Sequence, residues 1–389
     1  MNKKAIAILG GIFLLIIGTL GFLIFQNRNS QTPEPIIVEN TDNTNNNNVD
    51  NNNNTIPDPN TQIPDANLPS KVVKLSDDQV ISPALFFDGS GLAYFDRQGR
   101  LWQADLVESG NSLVLDRKSE VSIEIKAGIK KIIWPDKTNN FIAEINSFGE
   151  KSYSYYNSQT GMYTDLPRQV ISLGFLPGGE KILYIWQENG KATLNEGNGD
   201  ATGWKEIAEM WEQNNSISIS PDGLNVLYFQ TVNSSAVNPI NLTTPDGKLW
   251  RGLVKDGYNT GVLWSPDGQK FLFTKKDSVS LKHQLWNYDV LSGEVKNLGV
   301  YTTIEKVTWD KESSNIYVAS PDETSPVPQE GVLTTDQVFR VNIQTLEKKE
   351  YSLENQKIDG RDLFLNIAGD KLFFKNAQDG FLYYLDLNQ

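Results

Sequence analysis

Cysteine is absent from this chain of 389 residues, and histidine occurs once. Without cysteine there are no disulfides, no thiolate metal sites and no cysteine nucleophile, so packing alone must hold the fold. One imidazole is too few for a zinc centre, and His283, between Lys282 and Gln284, reads as an ordinary strand-edge residue. No Gly-x-Ser-x-Gly elbow, phosphate-binding glycine loop or dinucleotide fingerprint occurs, so no cofactor and no metal are expected. Positive charge is scarce as well: 35 Lys and Arg face 48 Asp and Glu, a formal net charge of −13. That balance argues against nucleic acid or an anionic membrane surface as a principal partner.

Long apolar runs are missing too, with one exception. Residues 5–25 carry no charge, and as a helix they would measure about 31 Å against a hydrocarbon core of about 30 Å. The stretch Leu20-Gly21-Phe22-Leu23-Ile24-Phe25-Gln26-Asn27 has no small-residue cleavage site, which predicts an uncleaved transmembrane signal anchor. Lys3 and Lys4 outweigh Arg28, placing residues 1–4 in the cytoplasm and the rest outside, as a single-pass protein of the cell membrane. Residues 26–70 are rich in Asn, Thr, Pro and Asp and too poor in apolar residues to offset their ordering entropy. They read as a disordered linker, about 40 Å from end to end on average. The asparagine runs 45–48 and 51–54 lack the spaced carboxylates and closing Glu of a calcium loop.

From residue 71 onward one unit repeats seven times: an apolar anchor, a polar turn, and an apolar strand starting seven residues after the anchor. The pairs are Leu85 and Leu92, Trp134 and Phe141, Phe175 and Ile182, Ile219 and Val226, Trp264 and Phe271, Trp309 and Ile316, and Leu365 and Leu372. Anchors are 49, 41, 44, 45, 45 and 56 residues apart. Strand chemistry at a period of 40 to 50 residues indicates a radial array of small sheets, a β-propeller, rather than one conventional core. The reading is all-β, seven blades of four antiparallel strands over residues 71–389, with six or eight blades as alternatives if the long units are misdivided. In the third unit the run Trp204-Lys205-Glu206-Ile207-Ala208-Glu209-Met210-Trp211 has helical spacing, but the glycine-rich turn before it matches the repeat and favours an outer strand. The seventh unit ends at its third strand, which leaves an open edge. Lys71-Val72-Val73-Lys74-Leu75 is the expected closing strand.

Inner strands line a propeller's channel. Three residues before the anchors stand Ser82, Lys131, Ser172, Ser216, Gly261, Lys306 and Asp362, an almost wholly polar set; one position earlier come Lys130, Glu305 and Arg361. Lys131, Lys306, Arg361 and Asp362 are therefore the binding candidates for the channel face. Two insertions, residues 231–239 in blade four and 320–337 in blade six, are candidate recognition loops. The oxygen-rich run Asn195-Glu196-Gly197-Asn198-Gly199-Asp200 falls where a hairpin turn is required, which accounts for it without a cation.

The turns Ser220-Pro221-Asp222-Gly223 and Ser265-Pro266-Asp267-Gly268, each followed by an apolar strand, resemble the WD-like repeats of TolB-type propellers. They are also similar to repeats in the propeller domain of dipeptidyl peptidase IV and prolyl oligopeptidase enzymes. The resemblance implies the fold over residues 71–389. The peptidases' hydrolase domain has no counterpart, so their activity is not implied. Together these features lead us to expect a non-catalytic scaffold of the cell envelope, a monomeric propeller that binds an envelope protein or peptide. The alternative is a propeller hydrolase or lyase acting on envelope glycans or peptides through carboxylates such as Asp362 and Glu305.

Overall fold

The strands that follow the seven turns are the most deeply buried in the molecule. Leu92, Phe141, Ile182, Val226, Phe271, Ile316 and Leu372 are all fully buried. The computed structural model describes residues 72–388 except 87, 111, 122–123, 211–214, 231–237, 258–260, 277–279, 281, 327–331 and 355. It contains seven sheets, each of four strands, and every pairing is antiparallel. The seven-residue spacing has a direct cause: anchor and strand start face each other across the first hairpin, as in Trp264 with Phe271 and Leu85 with Leu92. Burial on both faces follows because each second strand packs against sheets on either side, which needs continuous apolar runs rather than alternation.

Side chains within the polar turns of blades four to seven accept the backbone N–H groups of those turns. Gly268 has φ +69°, a left-handed conformation that favours glycine. The Ser265 hydroxyl accepts the Lys270 N–H at 2.9 Å, and Asp267 Oδ1 accepts the Gln269 N–H at 3.0 Å. In two other units the motif is lost and the function kept: Asp310 and Asn366 replace the serine and accept the N–H groups of Asn315 and Lys371. Between blades, the Trp264 indole donates to the Ser218 carbonyl at 3.1 Å and the Trp309 indole to the Leu263 carbonyl at 3.3 Å. These two anchor tryptophans thus dock onto the inner strand of the preceding blade; the Trp134 indole has no such partner among the described residues.

The residues 204–211 segment forms a strand, Lys205–Met210. The inner strand of blade five is Leu263–Trp264. The ring closes as expected, and further than expected: Val72–Gln79 is the outer strand of the last blade, pairing with Phe381–Asp386. Because Val72 lies beside Leu385, the chain enters the ring on the face of the polar turns. Loops joining second to third strands, and outer strands to the next inner strand, lie on the opposite face. The apolar segment 5–25 and the linker 26–70 fall outside the described residues, among which no helix is long and apolar enough to cross a membrane.

A chain lacking residues 1–79 should expose the edge of Phe381–Asp386, melt at lower temperature and self-associate. Size-exclusion chromatography with a thermal scan checks this; a monomer with an unchanged midpoint would show that closure contributes nothing.

Candidate functional site

The four charged candidates do not share one environment. Lys131 is exposed on the inner strand of blade two, and Asp362 is exposed on that of blade seven. Lys306 is fully buried, and Arg361 is largely so. The repeat column fails as a predictor of side-chain direction because four inner strands are bulged and Lys306 ends a one-turn 3-10 helix, Ile304–Lys306, ahead of its strand. Register shifts fall between Ile81 and Ala84, Ile129 and Lys131, Val170 and Ser172, and Arg361 and Phe364. One extra residue turns every side chain on one side of it to the other face. Two serines of the column serve the seams between blades instead of the channel: Ser82 Oγ accepts the Ile132 N–H and Ser172 Oγ the Ile217 N–H, each at 3.0 Å.

Lys306 corrects the expectation of a channel-facing cation. Its ammonium donates to Asp336 Oδ2 at 2.6 Å, to Asp359 Oδ1 at 2.6 Å and to the Thr334 hydroxyl at 2.9 Å. Both carboxylates are fully buried. Arg361 is bound to the same cluster: Nε and Nη2 reach the two oxygens of Asp359 at 3.1 Å, and Nη2 also donates to the Val332 carbonyl at 3.0 Å. Glu305 approaches Arg361 Nη1 at 3.6 Å. Two cations thus meet two buried anions, the condition under which buried charge is tolerated. Burial pushes the Asp336 carboxyl up, and Lys306 offsets this only in part. Burial acts on Asp359 in the same direction, but hydrogen bonds from Arg361 and Lys306 outweigh it and hold that carboxyl below the usual range.

The cluster clamps the roots of the blade-six loop. Thr334 N–H donates to Asp359 Oδ2 at 3.1 Å, Gly360 N–H to Asp336 Oδ2 at 2.8 Å, and the Gln378 amide to the Thr334 carbonyl at 2.8 Å. Ser325 Oγ and Thr335 bridge the two sides of the loop. The loop itself is shorter than the insertion read from the sequence, since Ser320 and Pro321 pair with Gln337 and Asp336 in the ladder. Asp336, Asp359 and Thr334 escaped the sequence reading. Asp336 and Asp359 stand 30 and 53 residues from Lys306, and each looks like any solvated loop carboxylate until the blades meet.

Asp362 has φ +53° and borders a cavity of about 250 Å³ formed by residues 83–85 and 362–365, between the inner strands of blades one and seven. His283, at the start of its strand, is buried; burial and the nearby Lys276 lower its pKa. The oxygen-rich run of blade three closes on itself, Asp200 Oδ1 accepting from the N–H and hydroxyl of Thr202 at 3.0 and 2.6 Å. Among the described residues no group of three or more His, Asp or Glu is arranged to hold a metal ion.

No family model matches the chain, and no curated protein matches it in sequence. Solved structures match its shape. The β-propeller domain of Cps50 (Swd1) from Myceliophteria thermophila is 10% identical, with 82% of this chain and 99% of that one covered at a TM-score of 0.55. An oligogalacturonate lyase in complex with manganese is 11% identical over 83% and 97% of the two chains, at 0.52. TolB from Acinetobacter baumannii is 15% identical over 77% and 79%, at 0.43, too loose to bear an argument. The seven-bladed ring expected from the WD-like and TolB-type resemblance is present, and at these identities the likenesses establish the fold alone.

Replacing Lys306 by Met leaves two buried carboxylates without their shared cation and should cost about 3–5 kcal/mol of stability at pH 7. Urea unfolding measures it. The raised pKa of Asp336 sets the sign of the pH dependence: the deficit should narrow as pH falls towards the ordinary carboxylate range, because the orphaned carboxyl takes up a proton. The wild type behaves oppositely at Asp359, whose stabilisation is present at neutral pH and lost as pH falls through its depressed value. A variant deficit that is constant from pH 7 to pH 4 would contradict the clamp.

Proposed function

We propose that this chain is a membrane-anchored extracytoplasmic propeller that binds an envelope protein or peptide and performs no turnover of its own. The observation that carries the reading is the buried clamp at the base of the blade-six loop: Lys306, Asp336, Asp359 and Arg361 fix the roots of a surface loop from inside the ring. A loop whose ends are held loses less entropy on binding than one that is loose at both ends. Residues 231–237 of the blade-four insertion lie outside the described residues; the strand ends that flank it, Gln230 and Ile240, lie on the same face as Pro321 and Asp336, opposite the one where Val72 enters.

The non-catalytic part of the reading rests on the state of the carboxylates. Glycoside cleavage by acid–base chemistry uses two carboxyl groups across the substrate. Of Asp362 and Glu305, the second is engaged with Arg361. Lys306 and Arg361 act as positioning residues for the loop, which leaves Lys131 and Asp362 as the channel candidates open to a ligand.

Crosslinking from intact membranes with the full-length chain, beside a version shortened within residues 323–331, tests the reading. A discrete envelope protein captured by the first and lost from the second is the expected result. Equal capture by both would remove the loop from the interface, and turnover of an envelope polymer by the purified chain would overturn the non-catalytic assignment.

A further inference from the structure

Phe148 is fully exposed at the tip of the hairpin between the second and third strands of blade two. It occupies the first central position of a two-residue turn, with φ +55°, followed by Gly149 with φ +88°. A turn with both central residues left-handed favours Asn-Gly, and a bulky side chain there is strained. Blade three supplies the comparison within the same molecule: its hairpin has Asn189-Gly190 at the equivalent place, with φ +50° and +78°. Phe148 therefore opposes the local preference of the turn while contributing nothing to the core.

Its surroundings are continuous and basic. The Asn146 N–H donates to the Gly128 carbonyl at 2.9 Å, and the Lys126 N–H to the Gly99 carbonyl at 3.1 Å. These bonds join the blade-one loop, the connector between blades one and two, and the Phe148 hairpin into one ridge. Ile125 on that connector is 58% exposed. Arg97, Lys130, Lys131 and Lys151 are exposed on or beside the ridge, and none has an ion-pair partner among the described residues. Lys151 lies over the Tyr153 ring, 5.4 Å from its centroid. The same segments carry fewer acidic residues, Glu124, Glu144 and Glu150; Glu124 and Glu150 are paired with Lys126 and Arg168, and Glu144 stands opposite Lys131 in the ladder, which leaves a local excess of positive charge in a chain of net charge −13.

We propose that this ridge is a docking surface for an acidic protein segment, with Phe148 inserted into an apolar cleft of the partner and Arg97, Lys130, Lys131 and Lys151 facing its carboxylates. The inference deepens the scaffold reading above and rests on it. A lipid surface would offer similar chemistry, but the net charge of −13 disfavours an anionic bilayer as the partner, and mapping the crosslinked adduct separates the two. Aromatic residues, phenylalanine among them, and arginine are enriched at protein interfaces, and the cations would make association fall with salt.

The test uses the absence of cysteine. Ala127→Cys, an exposed position on the ridge, carries a photo-crosslinker in the full-length chain within intact membranes, with Leu224→Cys on the opposite face as the control. Phe148→Asn in the Ala127→Cys background is the deciding variant. The expected result is an adduct from position 127 but not from 224, mapped by mass spectrometry to an acidic segment, and reduced about tenfold or more by Phe148→Asn. The same substitution should raise the thermal midpoint, because it restores the residue that this turn favours; a merely structural Phe148 would not move the two readouts in opposite directions. An adduct that survives Phe148→Asn, one that maps to a basic segment or to lipid, or no adduct at 127 would each overturn the proposal. If the blade-six loop still captures a partner when position 127 does not, the scaffold reading stands and this one falls; if neither captures one, both fall.

Discussion

The structure depends on closure of the ring. A four-stranded sheet with apolar residues on both faces is not a stable object by itself, because each face needs a neighbour. In a ring every blade has two neighbours, and the requirement propagates to the last blade, whose strands come from both ends of the described chain. Val72–Gln79 completes that blade, and Leu113 in blade one donates its N–H to the Tyr384 hydroxyl across the seam at 3.0 Å. Phe373, Leu382 and Tyr384 of the last blade share a core with Leu92 and Tyr94 of the first. The molecule has no disulfide to stabilise that seam, so closure rests on the strand ladder and on packing.

Closure also decides where polar groups can be buried. The seam between blades six and seven encloses Lys306, Asp336 and Asp359 together, with Arg361 at its edge. Such a cluster contributes little net stability compared with apolar residues of the same volume, but it fixes geometry, since any displacement strands a charge. Here the geometry it fixes is the root of a loop. The cation that the repeat pattern would give to the channel is used inside the wall, while Lys131 and Asp362 stay exposed on their inner strands.

Much of the fold was legible because it rests on local chemistry repeated seven times. The spacing of seven from Trp264 to Phe271 reports a hairpin of defined register, and the ladder places those two residues opposite each other. The closing strand was legible for a negative reason: blade seven lacked an outer strand and Val72 to Leu75 had no other place to go. The positions of Lys131 and Asp362 on exposed inner strands were also within reach of the repeat. Those of Lys306 and Arg361 were not: Lys306 ends a one-turn 3-10 helix, Ile304–Lys306, ahead of its inner strand, Arg361 stands beside a bulge, and neither feature shows in a column of aligned residues, nor does a carboxylate contributed by the next blade.

By itself, then, the sequence determined the architecture and the way the ends meet and favoured seven blades over six or eight, all consequences of apolar periodicity and turn chemistry that act within a few residues. Only the tertiary structure decided which charged residues are buried and paired, which loop is held at its roots, and that Phe148 stands unsupported at a turn while Asn189 fills the same place in the next blade. Those properties depend on groups 30 to 53 residues apart meeting in a low-dielectric seam, as at Lys306, or on what is absent around a side chain, and neither is encoded in any local stretch.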